Sequence, residues 1–415
     1  MRSFFRLLFS LLLPALPLSL GAELAVKTDF EGGSATVDRV DEAKREIHLR
    51  PGGNPARGWP CWWYVRIEGL GKGESATLVL RGSVRSARNN GQDTGKPLAP
   101  NWAMPAAATV SDDGRTWRQT GLGQRTPDHI AYPLVGNGGA LWVAWGPPFT
   151  SRESEDLFAR AERQRPELVT IFELARTRED RAVRGLRLGT TLGKKPAVWI
   201  QARQHAWESG SSWVARGFVD WLLGEEAAAK SLRESAEIVV VPILDVDRAA
   251  TGDGGKESEP RDHNRDWADP PHYPEVAAAQ KQILAFAAED RLALFLDLHN
   301  PSATDRRPFF FVGPPELLTE TARANRERFL GLAATYLDAP LELDPKPRVT
   351  GQAYHPLWRQ ISGRWVEEHG NPFTLAACLE TSWNTPHSTS EGYREVGAKL
   401  GRAVAVYLSS DAENH

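Results

Sequence analysis

The chain has 415 residues, 41% hydrophobic and 25% charged, an ordinary globular composition with length enough for two domains. Its formal net charge of −3 excludes a global basic field, so no nucleic-acid partner is expected. Neither cysteine, Cys61 or Cys378, belongs to a C-x-x-C pair, which leaves cysteine-based zinc or redox chemistry without support. One disulfide and two separate buried thiols both stay open.

At the N-terminus, Arg2 and Arg6 precede the run Leu7-Leu-Phe-Ser-Leu-Leu-Leu-Pro-Ala-Leu-Pro-Leu-Ser-Leu20, followed by Gly21 and Ala22. A basic start, an apolar stretch and small residues near a cut point predict a secretory signal over residues 1–22. A membrane span takes about 20 apolar residues. The run is shorter and holds Pro14 and Pro17, so no stable span is expected after cleavage; an uncleaved anchor is the alternative. The mature protein is expected to be secreted or periplasmic.

Residues 23–150 alternate short β-rich runs, such as Trp62-Trp-Tyr-Val-Arg-Ile67, with turns such as Asp112-Asp-Gly114. They predict an all-β sandwich domain. From residue 151 the pattern changes. A charged helix over 153–165 leads into strand-like apolar runs at 195–202, 237–244, 292–298 and 374–379. Helical segments are expected at 211–223, 274–288, 315–337 and 390–408. Near-continuous apolar strands alternating with helices indicate a mixed, mostly parallel sheet buried on both faces, an α/β domain over 151–410.

Sites on open α/β sheets form beyond the carboxyl ends of the strands. The first run there leads into His205 and Glu208, the third ends in His299 and the fourth in Glu380. Two His and one Glu, with one position left open, is a catalytic zinc set, so one Zn2+ is expected on His205, Glu208 and His299. For His299 alone, a hydrogen-bonded core histidine is the bland alternative. Glu380 is the candidate base that takes a proton from water and returns it to a leaving amine. Asn264 and Arg265, in the polar stretch 252–271, offer a fork of donors for a carboxylate, although a solvated loop explains that stretch equally on local sequence.

These residues resemble the zinc metallocarboxypeptidases, most closely the cytosolic carboxypeptidase (deglutamylase-like) branch and its bacterial relatives. Gln201-Ala-Arg-Gln-His-Ala-Trp-Glu208 looks like that branch's zinc loop. Val241-Pro-Ile-Leu-Asp-Val-Asp247 and Asp262-His-Asn-Arg-Asp-Trp267 look like its Pro-Asp and Asp-x-Asn-Arg-x-Trp segments. Phe295-Leu-Asp-Leu-His299 and Leu379-Glu-Thr-Ser382 look like its second ligand strand and catalytic Glu segment. Trp62-Trp-Tyr-Val-Arg66 and Ser111-Asp-Asp-Gly-Arg-Thr-Trp117 look like its preceding β-domain. The resemblance implies that His205, Glu208 and His299 bind zinc, that Glu380 is general base and then acid, and that Asn264 and Arg265 hold a peptide's terminal carboxylate. It implies that Asp262 orients His205 from behind and that Tyr354 stands near the substrate amide.

The chain departs from the family at one place that matters. A register anchored on Asp247 and Asn264 puts Gly255 where the family has an Arg that stabilises the oxyanion, with Lys256 adjacent. Losing such a donor costs roughly 2.7–4 kcal/mol of transition-state stabilisation. Lys256, Arg261 and Arg203 are the candidate replacements. The expected function is an exported zinc carboxypeptidase hydrolysing the last peptide or isopeptide bond of a peptide. The alternatives are a zinc amidohydrolase of N-acyl amino acids and a non-catalytic peptide- or carbohydrate-binding protein on the same scaffold.

Overall fold

The computed structural model describes residues 22–189 and 194–409. The expected signal segment, apart from Ala22, lies outside the described residues. The chain opens with β1 (Ala25–Lys27), β2 (Thr36–Asp41), β3 (Glu46–Arg50), β4 (Tyr64–Glu68), β5 (Ser75–Arg81) and the hairpin β6 (Ser86–Asn89) and β7 (Gln92–Pro97). β8 (Thr109–Ser111), β9 (Arg118–Gln119), β10 (Gln124–Arg125), β11 (His129–Val135) and β12 (Leu141–Ala144) follow. Two five-stranded sheets result, ordered β1-β4-β12-β8-β9 and β10-β11-β5-β3-β2. Alternation in the strands explains why they stack: Leu78 and Leu80 of one sheet, and Val65 and Ile67 of the other, turn inward to a shared core.

Helix α1 (Ser151–Gln164) begins after a capping box, in which Thr150 and Glu153 satisfy each other's backbone. An eight-stranded sheet follows: β13 (Val169–Arg176), β14 (Ala182–Gly189), β15 (Ala197–Ala202), β16 (Glu237–Val241), β17 (Leu292–His299), β18 (Phe309–Val312), β19 (Arg348–Val349) and β20 (Leu375–Glu380). Its order is β13-β14-β16-β15-β17-β20-β18-β19. The central strands β16, β15, β17 and β20 run parallel, and β13, β14 and β18 pair antiparallel at the flanks.

The central strands are buried on both faces because each has helices on either side. Helices α2 (Ser209–Leu222), α3 (Ala227–Ser235), α6 (Glu320–Tyr336) and α8 (Ser390–Ser409) share a core with Val198, Ile200, Leu294 and Leu296. Helices α5 (Pro274–Ala288) and α7 (Ser362–His369) share the opposite core with Ala197, Trp199 and Phe295. This is the period of two expected of a strand. A short helix α4 (Val246–Thr251) follows β16.

Two details depart from the sequence expectation. The helix expected over 315–337 is divided: a 3-10 turn at Pro315–Leu317 stops, and α6 starts afresh where the Thr319 hydroxyl caps Ala322 N at 3.0 Å. The hairpin β13–β14 was not legible as an apolar run, because β13 lies at the sheet edge with mostly half-exposed residues. Cys61 and Cys378 are buried free thiols, so of the two readings left open the disulfide does not form. No helix among the described residues is long and apolar enough to cross a membrane.

Candidate active site

The site grows from the carboxyl ends of β15, β17 and β20. After Ala202 the chain must turn sharply to leave the sheet. Arg203 takes the left-handed conformation (φ 66°) that few side chains adopt. Its guanidinium holds the turn by donating to Ala206 O at 2.6 Å and Phe149 O at 2.9 Å. His205 sits in that turn and Glu208 occupies the position just before α2.

Glu208 is the hub. Its Oε1 lies 2.8 Å from His205 Nδ1 and its Oε2 lies 2.7 Å from His299 Nδ1. Donor atoms of all three residues fall within 4.8 Å of one another, and all three are buried. Burial opposes ionisation of Glu208, but the two imidazoles outweigh it and hold the carboxyl down to about 2. Two imidazoles and an ionised carboxylate converging on one point fit a zinc ion, which prefers such N/O donors.

Behind each imidazole stands a carboxylate. Asp262 Oδ1 is 3.7 Å from His205 Nε2, and neither atom has a hydrogen-bond partner among the described residues. Asp262 is held well below the usual carboxylate range: burial works against this, and the charge of Arg265 overrides it. Asp297 Oδ2 is 3.0 Å from His299 Nε2 and also accepts from Gln204 and from the Ser362 hydroxyl. Asp297 was missed in the sequence. The signal was present: two residues before His299 in one strand, it shares a sheet face with it.

Glu380 is the cross-strand partner of His299 in the β17–β20 register. It is buried, and its Oε2 has no hydrogen-bond partner among the described residues. Burial pushes its carboxyl up to about 8, against the pull of the His299 charge and with the help of Glu208.

The residues expected to bind substrate line the same cleft but differ in freedom. Asn264 is already engaged: its Nδ2 is 3.3 Å from His299 Nε2 and its Oδ1 accepts from Ser362 N at 3.0 Å. Arg265 is buried, spends one Nη on Asn264 O at 2.7 Å and leaves its Nε without a partner among the described residues. Tyr354 stands at the rim, 42% exposed, with the Arg265 guanidinium 5.9 Å from its ring centroid.

Of the three candidate replacements for the loop Arg, only Lys256 lines the cleft. Arg203 is spent on carbonyls, and Arg261 faces Asp266 and Gln360. Gly255 itself has no room for any side chain, since a Cβ there would lie 2.4 Å from Ala206 N. Trp102, from the β region, also lines the cleft, as does Trp207, between His205 and Glu208 in the chain. No local pattern marks Trp102, because only the docking of the β region brings it there.

Residues 155–282, which contain His205, Glu208, Asn264 and Arg265, match the family model described as zinc carboxypeptidase. That stretch is similar to a zinc carboxypeptidase domain. Cytosolic carboxypeptidase 3 of Mus musculus is 32% identical over 117 residues, 28% of this chain and 12% of that protein. The chain therefore spans about an eighth of that curated relative's length. The crystal structure of a metallo-carboxypeptidase from Burkholderia cenocepacia shares the fold, with a TM-score of 0.77 at 20% identity over 94% of this chain and 99% of that one. A metallo-carboxypeptidase from Pseudomonas aeruginosa, solved with (2-guanidinoethylmercapto)succinic acid, gives 0.72 at 20% identity over 93% and 99%.

Proposed function

We propose that this chain is an exported, zinc-dependent carboxypeptidase that hydrolyses the C-terminal peptide or isopeptide bond of a peptide. One observation carries the reading: the His205–Glu208–His299 cluster, the unpartnered Glu380 carboxylate oxygen and the buried Arg265 border a single cleft. Zinc on the cluster would supply a Lewis acid that acidifies water and polarises a carbonyl.

The chain's own groups would do the rest. Arg265 offers a fixed fork for the terminal carboxylate, and Asn264 braces His299 beside it. Tyr354 at the rim stands near the substrate amide. Glu380 takes a proton from the attacking water and delivers it to the leaving amine. Burial raises this carboxyl, and the positive charge of a bound zinc would favour the ionised form that takes the proton. Asp262 and Asp297 keep the imidazoles oriented with their Nδ1 atoms toward the cluster. Lys256 supplies the positive charge that the family's loop Arg would bring. Export rests on the basic and apolar pattern of residues 1–22.

The test uses the purified full chain. One zinc per chain is expected, with release of the last amino acid from N-blocked peptides but not from their C-terminal amides. Glu380→Gln should keep the zinc and lose about 10²–10⁴-fold in kcat. Bound zinc with no turnover of any free-carboxyl peptide would refute the carboxypeptidase reading. Turnover confined to N-acyl amino acids would move it to the amidohydrolase alternative.

A further inference from the structure

Lys256 reaches the cleft from a loop that the β region holds in place. Residues 54–59, just before β4, run alongside residues 253–259 and exchange backbone bonds with them. Gly255 N donates to Arg57 O and Trp59 N to Lys256 O, both at 2.9 Å, and Glu259 N donates to Ala56 O at 2.7 Å. Asp253 accepts from Asn54 N and Arg57 Nε, each at 2.6 Å. The backbones approach so closely that a Cβ at Gly254 would lie 2.0 Å from Trp59 O. The loop therefore has little freedom, and its position is set by the other half of the molecule.

The side chain of Lys256 is held differently. It forms no ion pair with any described carboxylate. Instead its Nζ lies 5.4 Å from the Trp59 ring centroid. Trp59 is itself fixed, its indole N–H donating to Arg88 O at 2.8 Å and its ring packing edge-on against Trp102 at 4.9 Å. A carboxylate partner would neutralise the ammonium. An aromatic face attracts the cation without neutralising it and leaves its N–H donors available for an incoming oxygen.

We propose that Trp59 is a positioning residue for Lys256, holding its ammonium over the cleft where the scissile carbonyl oxygen gathers charge. The β region thereby completes the cationic side of the active site. The catalytic half of this inference rests on the carboxypeptidase reading.

Two readouts on the zinc-loaded full chain separate the inference from that reading. The first needs no turnover: mass spectrometry follows the rate at which an acylating reagent modifies Lys256. Trp59→Leu should raise that rate several-fold and Trp59→Phe, which keeps a ring, should not; equal rates in all three proteins would overturn the contact. The second uses the N-acyl dipeptide that the parent chain cleaves fastest. Trp59→Leu should lower kcat about tenfold with KM within about twofold, and Trp59→Phe should restore most of it. Lys256→Met should lose about a hundredfold, and Trp59→Leu should add nothing in that background. An unchanged kcat in Trp59→Leu, or the same loss with Lys256 already removed, would overturn the positioning role. If the parent chain turns over no peptide, the carboxypeptidase reading fails, and the acylation rates still decide whether Trp59 holds Lys256.

Discussion

Asp297 and Asp262 stand behind the two imidazoles at 3.0 Å and 3.7 Å, so each faces a histidine of the candidate metal cluster. Partners of this kind tune affinity by about 10–100-fold. Asp297→Asn is expected to weaken zinc binding by about that factor, measured by competition with a chromophoric chelator. Asp262→Asn is expected to weaken it less, because its contact is longer. Equal affinity in Asp297→Asn and the parent chain would show that His299 needs no such brace. His205, Glu208, His299 and Glu380 were legible because each ends or follows an apolar run. Asp297 lies inside such a run, where an apolar pattern hides a buried charge.

At the scale of elements, His263 ties the loop after β16 to α5. Its Nδ1 is 3.4 Å from Asp245 Oδ2, its Nε2 is 2.6 Å from Glu275 Oε1, and its ring stacks on Tyr273 at 4.0 Å. Burial favours the neutral ring, but Asp245 and then Glu275 outweigh it and raise His263 to about 9. An unfolded histidine titrates near about 6.5. The raised group binds its proton more tightly when folded, so its contribution is complete below that value and is lost as pH rises through about 9. Unfolding free energy should fall between these limits, by at most a few kcal/mol at about 1.4 per unit. His263→Gln should flatten that part of the curve in urea titrations across pH; an unaltered slope would discount the pair.

Helix α2, which starts just after Glu208 of the candidate metal cluster, is set against α8 by glycines. A Cβ at Gly397 would lie 2.0 Å from Val214 O, and one at Gly217 would lie 2.1 Å from Arg394 O. Helix propensity alone favours Gly→Ala by about 1 kcal/mol. The clash is with backbone and cannot be relieved by a rotamer change, so overpacking at about 1–3 kcal/mol wins. Gly397→Ala should therefore lower the urea midpoint; a rise would show that the helices separate freely. The sequence marked both helices by periodicity, but not how near their axes come.

For the whole molecule, the main hydrophobic core runs from the β sandwich into the α/β sheet without a break. Trp145 packs on Trp207 at 5.2 Å and on Trp383 at 4.3 Å, while Phe149 packs on Trp213 at 5.1 Å. Removing residues 22–149 would bare these apolar faces and release the loop that carries Lys256. A chain of residues 150–409 is expected to aggregate or to melt without a cooperative transition in calorimetry. A sharp, reversible melt would show that the sheet domain stands alone.

The division between what was readable and what was not follows from range. Order along the chain determined the β-rich start, the α/β class and the candidate metal cluster with Glu380, because period and strand-end position are local properties. Only the tertiary structure decided that Gly255 has no room for a side chain, that Lys256 alone among the three candidate replacements for the loop Arg lines the cleft, that Trp102 lines it too, and that Trp59 lies beside Lys256. The contacts of Gly255 and Lys256 with Arg57 and Trp59 join residues about 200 positions apart, and their geometry depends on how two separately patterned halves dock.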